Sequence, residues 1–354
     1  MVNASGIGTY IKNLLPLIIG NLSSYVSFNI LGSLDELDHF RFLKKKNINL
    51  INFTNPIYSI QEQINYVRVI PNETDLFWSP HYNFPIFHKG KLLVSIMDLG
   101  HLALKEINHE LSKRLYATFM FNQVKKRADA TVYISQFSMD EFNRIIGKPN
   151  TSQTVTHLGV DQSWFNTSKY QNGVKKPYLL YVGNVKPHKN LGSLIEAFGK
   201  ICNKIPHNLM IVGKKEGFIT GDETLFSIEG NYLDRITFTG KVSDNELKKY
   251  VSEADVFIFP SIYEGFGLPP LEAMAAGTPV VSSNVASIPE ICGNAALYFD
   301  PYNVDEMAEK ILQMLNNKTL REKYIERGKE RAKLFKWKKT AKQTASVIEN
   351  IIEG

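Results

Sequence analysis

Along the 354-residue chain, short apolar runs alternate with longer segments whose apolar positions recur every three or four residues. The short runs are residues 26–31 (VSFNIL), 75–79 (DLFWS), 91–98 (KLLVSIMD), 130–135 (ATVYIS), 178–183 (YLLYVG), 208–213 (NLMIVG), 235–240 (RITFTG), 255–260 (DVFIFP), 279–283 (PVVSS) and 296–300 (ALYFD). Most are β-branched or aromatic and close on Gly, Pro, Ser or Asp, the signature of buried strands. Between them the period is helical. Ile7, Ile11, Leu14, Leu15 and Ile18 form one stripe, and Leu191, Leu194, Ile195 and Phe198 form another behind Asn190, which can cap. Ser138 with Glu141, and Ser243 with Glu246, read as capping boxes, the second opening a helix over 246–254. Further helices are expected around 271–276, over 110–130 and over 337–354. Strand–helix alternation predicts an α/β protein of parallel sheets covered on both faces.

A chain of this length points to two domains. Residues 166–177 (NTSKYQNGVKKP) are polar and end at a proline, which places the boundary there: 1–172, 173–334, and a last helix over 335–354 expected to return and pack on the first domain. A hydrophobic content of 44% and a charged content of 21% are those of a globular protein and exclude a disordered one. The net charge of +6 suits anionic partners such as phosphates, nucleotides or acidic lipid surfaces without choosing among them. Cys202 and Cys292 have no motif spacing, so neither a disulfide framework nor a zinc site is implied. The first residues show no signal-peptide pattern, and no apolar run approaches the ~18 residues of a membrane span. The expected location is cytoplasmic, at most on the inner face of a membrane. Residues 110–130 read as an amphipathic helix bearing Lys113, Arg114, Lys125, Lys126 and Arg127, suited to an anionic surface or to core packing with a solvated face. Lys44–Lys46 read as a solvated loop. No basic patch interleaved with stacking aromatics speaks for nucleic acid, and no G-x-G-x-x-G follows a strand as in oxidoreductases.

The densest chemistry lies in residues 255–281 (DVFIFPSIYEGFGLPPLEAMAAGTPVV). A buried strand ends at Pro260, a bend carries Gly265 and Gly267, and a helix follows. Ligands of parallel sheets bind at the carboxyl ends of strands. Glycines let backbone approach a ligand, and N–H groups at a helix start hold anions such as a pyrophosphate. Carboxylates are poor phosphate ligands but good acceptors for hydroxyls. Glu264 and Glu272 therefore fit sugar hydroxyls on either side of a diphosphate, the layout of a nucleotide-sugar.

The run 264-EGFGLPPLE-272, followed by 277-GTPVV-281 and 287-SIPE-290, resembles the retaining family-4 glycosyltransferases of the GT-B fold. Further matches, in order, are 5-SGIGTY-10, 75-DLFWSPH-81, 159-GVD-161, 182-VGNVKPHKNLGSLIEAF-198, 239-TGKVSDNEL-247 and 293-GNAALYFDP-301. The resemblance spans nearly the whole chain and is most specific in the second half. It implies two Rossmann-like domains facing across a cleft, the first binding acceptor and the second the nucleotide-sugar. It implies that Glu264 contacts the donor sugar, Glu272 the ribose hydroxyls, and the backbone of Gly265, Phe266, Gly267 and Leu268 the diphosphate and sugar. Lys189 would neutralise the diphosphate, Gly6 and Gly8 would let a first loop approach the donor phosphate, and the base would lie near Gly213 and Thr239 to Lys241. Retention without a metal is implied, and the chain has no D-x-D triplet. No prosthetic group is implied.

Three departures stand out. Met97 precedes Asp98 where many relatives have His, leaving Asp98 and the nearby His101 as catalytic and acceptor candidates, with His81 as a further acceptor candidate. Asn184 replaces an Arg, and Lys186 or His188 would compensate. The form N-x-x-x-H-K-N is similar to mannosyltransferases of surface polysaccharides, lipopolysaccharide among them. This favours GDP-mannose as donor, with UDP-sugars as the alternative, and a glycan or polyprenyl-linked saccharide as acceptor. Finally, Met1 lies four residues before Ser5, so the first strand of the N-terminal sheet is expected to be absent. That strand and Met97 leave open a degenerate, non-catalytic nucleotide-sugar-binding protein. A GT-B epimerase or phosphorylase is a further alternative.

Overall fold

The computed structural model describes residues 5–22, 25–37, 40–43, 46–104, 111–167, 177–213 and 232–354. The chain forms two compact units, Met1–Gly159 with Lys336–Gly354, and Val160–Phe335. The boundary expected at 172/173 lies outside the described residues, as do Lys44 and Lys45.

The first unit opens on helix α1 (Ser5–Leu22), which buries Tyr10, Leu14, Ile18, Ile19 and Leu22. The buried stripe thus keeps Leu14 and Ile18 but turns slightly away from the expected Ile7 and Ile11. Strand β1 (Phe28–Gly32), helix α2 (Leu34–Leu37), strand β2 (Ile48–Asn52) and helix α3 (Ile60–Val69) follow. Then come β3 (Leu76–Ser79), β4 (Lys91–Ile96), α4 (Gly100–Ala103), α5 (Leu111–Arg127), β5 (Ala130–Tyr133), α6 (Gln136–Ile145) and β6 (Ser152–Val155). β1 pairs in parallel with β2, and β3-β4-β5-β6 form a separate parallel sheet. The residues before α1 lie outside the described residues, so the expectation about a first strand falls outside them too.

The second unit holds one six-stranded parallel sheet of β7 (Tyr178–Val182), β8 (Asn208–Val212), β9 (Ile236–Gly240), β10 (Val256–Phe259), β11 (Val280–Ser283) and β12 (Ala296–Phe299). Their spatial order is β12-β11-β10-β7-β8-β9. The order reverses between β7 and β10, so the doubly wound sheet has its topological switch point there. Helices α7 (Leu191–Ile201), α8 (Asp244–Glu253), α9 (Leu268–Ala275), α10 (Ile288–Cys292), α11 (Val304–Asn316) and α12 (Lys318–Lys333) intervene or follow. α7 packs on α11 and α9 on α12. Helix α13 (Trp337–Glu353) completes the first unit against α1, β3, β4 and β5.

All ten expected strands are present; β2 and β6 were not foreseen. Their sequences, INLIN and SQTV, are too polar to read as buried runs, because each is an outer strand of its sheet with only half- or fully exposed side chains. Local chemistry corrects three helix readings. α6 begins three residues early: Ser135, not Ser138, is the cap, accepting the Ser138 N–H at 3.0 Å, while Glu141 pairs with Arg144. Asn190 stands at the N-cap position of α7, but its side chain bridges the Pro260 and Pro301 carbonyls (3.2 and 2.8 Å) instead of capping. α5 is not amphipathic. It buries Ala117, Met120, Phe121 and Val124 on one face and exposes Leu111, Leu115 and Phe119 elsewhere. Two of its cations turn inward: Lys125 reaches the Ile146 carbonyl at 2.9 Å and Arg127 the carbonyls of Ile86 and His88. The capping box of Ser243 and Glu246 is formed in full.

Candidate active site

The switch point collects most of the residues singled out in the second unit. The loop after β7 carries Asn184, Lys186, His188 and Lys189; the loop after β10 carries Glu264 and the glycine bend. The two loops are joined directly. The Ile262 N–H donates to the His188 carbonyl at 2.9 Å, and Lys189 Nζ donates to Glu264 Oε1 at 2.5 Å. Both members of this ion pair are largely buried, with side chains 22% and 14% exposed. Asn184 and Lys186 are exposed at the rim. Burial and the neighbouring lysines push His188 down to about 4, so the imidazole is neutral at pH 7.

The bend is built from one strand further on. Ser283 Oγ donates to the Ser261 carbonyl at 2.6 Å, and Ser287 Oγ lies 2.9 and 2.6 Å from the carbonyls of Glu264 and Phe266. In a trans peptide the N–H is opposed to the C=O, so the N–H groups of Gly265 and Gly267 are directed away from Ser287. Gly267 then starts α9 with φ +110°, and a Cβ there would meet the Ile288 side chain at 2.9 Å. Only glycine makes that turn without strain. Ser261 Oγ is buried with no hydrogen-bond partner among the described residues, a polar group left at the strand end.

Glu272 sits in α9, where burial pushes its carboxyl up to about 8 despite a hydrogen bond with the Trp164 side chain. Asp244 and Asp161 add to the rise and Lys248 opposes it; the Lys248 ammonium lies 5.8 Å from the Trp164 ring centre. Behind β8 and β9, Gly213 bridges to Gly240 (N–H to carbonyl 3.2 Å), and a Cβ on Gly213 would fall 2.0 Å from the Gly183 carbonyl. Thr239 and Lys241 flank this close approach, Lys241 exposed.

The other candidates belong to the first unit. Gly6 and Gly8 lie in the opening turns of α1 and not in a loop, because the helical period that begins at Ile7 runs through them. Asp98 is exposed beyond β4, its Oδ1 accepting the Gly100 N–H at 2.8 Å. His101 lies in α4 with its ring 6.2 Å from that of Tyr82. His81 is only 7% exposed, and burial with His101 nearby drives it down to about 3. Its Nδ1 accepts the Asn83 N–H at 3.3 Å, so the neutral ring carries its proton on Nε2. Sequence reasoning missed Ser261, Ser283, Ser287 and Trp164 in the second unit, and Tyr58, Glu62, Tyr82, Asn83 and Tyr116 in the first. Ser261, Ser283 and Ser287 lie inside quoted runs; the others carry no local signal.

Residues 162–331 match the family described as glycosyl transferases group 1. The O-antigen chain mannosyltransferase B of Escherichia coli is 35% identical over 305 residues, which cover 82% of this chain and 76% of that protein. The chain belongs to the group 1 glycosyltransferases. A second relative of this glycosyltransferase, the O-antigen chain mannosyltransferase RfbU of Salmonella typhimurium, is 33% identical over 190 residues, 53% of this chain and 52% of that one. Among solved structures, sucrose-phosphate synthase from Thermosynechococcus elongatus superposes with a TM-score of 0.78 at 20% identity, covering 99% of this chain and 94% of that one. WaaG, a glycosyltransferase of lipopolysaccharide biosynthesis, gives 0.71 at 13%, covering 95% of each. The fold is GT-B. The enzyme uses a nucleotide-sugar donor and a glycan acceptor. Among the described residues no helix is long and apolar enough to cross a membrane.

Proposed function

We propose that this glycosyltransferase moves mannose from GDP-mannose, with retention at the anomeric carbon and without a metal, to a glycan or polyprenyl-linked saccharide in surface-polysaccharide synthesis. The observation that carries the reading is the Lys189–Glu264 pair at the switch point of the second unit. Both relatives described above are named mannosyltransferases, which supports the donor sugar.

In this reading the nucleotide lies along the carboxyl ends of β7, β8 and β10. Glu272 and Trp164 hold the ribose, and the close approach at Gly213 and Gly240 leaves room for the base. Glu264 accepts a hydroxyl of the mannose and at the same time holds the Lys189 ammonium beside the diphosphate. As the bond from the anomeric carbon to the diphosphate oxygen breaks, negative charge builds on that oxygen. Lys189 and the N–H groups of Gly265 and Gly267 stabilise it. The acceptor oxygen bonds to the same face of the oxocarbenium-like carbon, and its proton passes to the departing phosphate oxygen. Asp98 and His101 of the first unit bind the acceptor, and His81 fixes the loop behind them.

The test is turnover of GDP-mannose, UDP-glucose, UDP-galactose and ADP-glucose with an α-mannoside acceptor, in EDTA. GDP-mannose is expected to be consumed and to give an α-linked product by NMR. Glu264→Gln should cut transfer about 10²-fold and leave GDP affinity nearly unchanged, because its partner is the sugar. A β-linked product, a requirement for added divalent metal, or consumption of a UDP-sugar instead would each overturn the corresponding part of the reading.

A further inference from the structure

The first unit carries a strained, exposed aromatic side chain on a buried polar support. Tyr58 has φ +68°, a left-handed conformation that non-glycine residues seldom adopt and that costs about 1–3 kcal/mol when they do. It is nevertheless 40% exposed, so burial of its own ring does not explain the strain. The backbone is held from below. The Tyr58 N–H donates to Glu62 Oε2 at 2.8 Å, and Glu62 itself is only 2% exposed. That carboxylate also accepts from Asn83 Nδ2 at 2.9 Å and from the Tyr66 hydroxyl at 3.2 Å, while the Tyr116 hydroxyl donates to Asn83 Oδ1 at 2.5 Å. Burial raises the Glu62 carboxyl and these donors oppose the rise, so the network is what keeps an acid there at all.

The ring is positioned as firmly as the backbone. Tyr82, 5% exposed, lies nearly parallel to it (11°, centres 6.0 Å apart), and Tyr116 meets it edge-on at 5.5 Å. The His101 ring is edge-on to Tyr82 at 6.2 Å. Asp98 is close enough for its charge to act on both Tyr58 and Tyr82. An aromatic ring open to solvent, with the Asp98 carboxylate acting on it and the His101 imidazole against its stacked neighbour Tyr82, offers the two things a sugar ring needs. One is a π-face for its apolar C–H side; the other is acceptors and donors for its hydroxyls.

We propose that Tyr58 is the platform on which a pyranose ring of the acceptor stacks, held in place by Glu62, with Asp98 and His101 taking the hydroxyls of that ring. The assignment names the acceptor subsite of the function proposed above and rests on it. It makes Tyr58 a specificity-determining residue for saccharides with a flat C–H face.

The test uses the full chain and two variants. Tyr58→Phe keeps the ring. Tyr58→Asn removes it but tolerates the left-handed backbone, so the variant is expected to fold, with GDP affinity by calorimetry as the control. In wild type, saturation-transfer NMR with methyl α-mannoside and mannobiose is expected to mark the ring protons of one sugar face. Tyr58→Phe should preserve that pattern. Tyr58→Asn should abolish it and raise acceptor KM about tenfold, the loss of one aromatic contact, with donor KM and hydrolysis of donor by water unchanged. An unchanged saturation pattern and acceptor KM in a folded, GDP-binding Tyr58→Asn would overturn the assignment. A wild-type chain that bound neither GDP nor any nucleotide-sugar would instead sink the proposed function, and the saccharide NMR would still judge Tyr58 by itself.

Discussion

Glu272 is kept in a place where its charge is unwelcome. Its carboxyl takes up a proton more readily in the folded chain, at about 8, than at its ordinary value of 4.5. The stability this contributes is whole below about 4.5 and is lost as the pH climbs through 8. Glu272→Gln, neutral at every pH, should therefore melt like wild type at pH 4 and above it at pH 9. The gain should be a few degrees, since each kcal/mol moves a domain of this size by roughly 2–4 °C. If Glu272 holds the ribose as proposed, the same variant should also bind GDP more weakly, because an amide offers one acceptor oxygen where the carboxyl group has two. Melting curves at the two pH values with a GDP titration decide it; a variant less stable at pH 9 would mean that Glu272 serves the fold. At this scale the acids were legible because both sit within one contiguous motif. Trp164 and Tyr58 were not: Trp164 lies 108 residues from Glu272 along the chain, and the Tyr58 backbone is held by Glu62, whose burial no local pattern announces.

Elements were legible where the core fills a face. β4, β5, β10 and β11 are buried almost throughout and read as apolar runs, whereas β2 and β6 are polar outer strands. α5 shows why a charge pattern misleads. Its apolar residues are divided between a buried face and the exposed set Leu111, Leu115 and Phe119, 63%, 62% and 48% exposed, and its cations are partly spent on carbonyls. α3 likewise exposes Ile60, Ile64 and Val67 at helical spacing. Exposed apolar stripes of this kind mark contacts with proteins or lipid, and if the acceptor is polyprenyl-linked as proposed above, lipid is the partner to test. Wild type should co-sediment with vesicles containing phosphatidylglycerol, and Leu115→Glu with Phe119→Glu should reduce the bound fraction several-fold while leaving GDP affinity intact. Binding that vanished in salt yet survived both substitutions would assign the contact to lysines and not to the stripe.

At the largest scale the last helix was expected to return to the first domain, whereas the residue at which the chain leaves that unit has no signal in composition. The polar segment before Pro177 marks a change of composition, but the first unit ends at Gly159 and resumes at Lys336. What brings it back is α13. Trp337, 8% exposed, lies 6.4 Å from the Tyr10 ring, and Tyr10 in turn hydrogen-bonds to Ser95 of β4 at 3.1 Å. Thr340 Oγ1 donates to the His157 carbonyl at 2.6 Å, and Lys91 Nζ reaches the Ile351 carbonyl at 2.5 Å. The first unit therefore closes only after the whole second unit has been synthesised, and its stability is tied to residues at the far end of the chain. Trp337→Ala should cost about 3–5 kcal/mol, the price of emptying a large buried aromatic site. All of that loss should fall on one unit. Calorimetry should show the transition of the first unit lowered by several degrees while the transition that GDP raises stays where it is, since ligand stabilises only the unit that binds it. Equal displacement of both transitions would mean that the units unfold as one cooperative body. In that case changes in α13 would weaken donor binding through the fold without touching the donor.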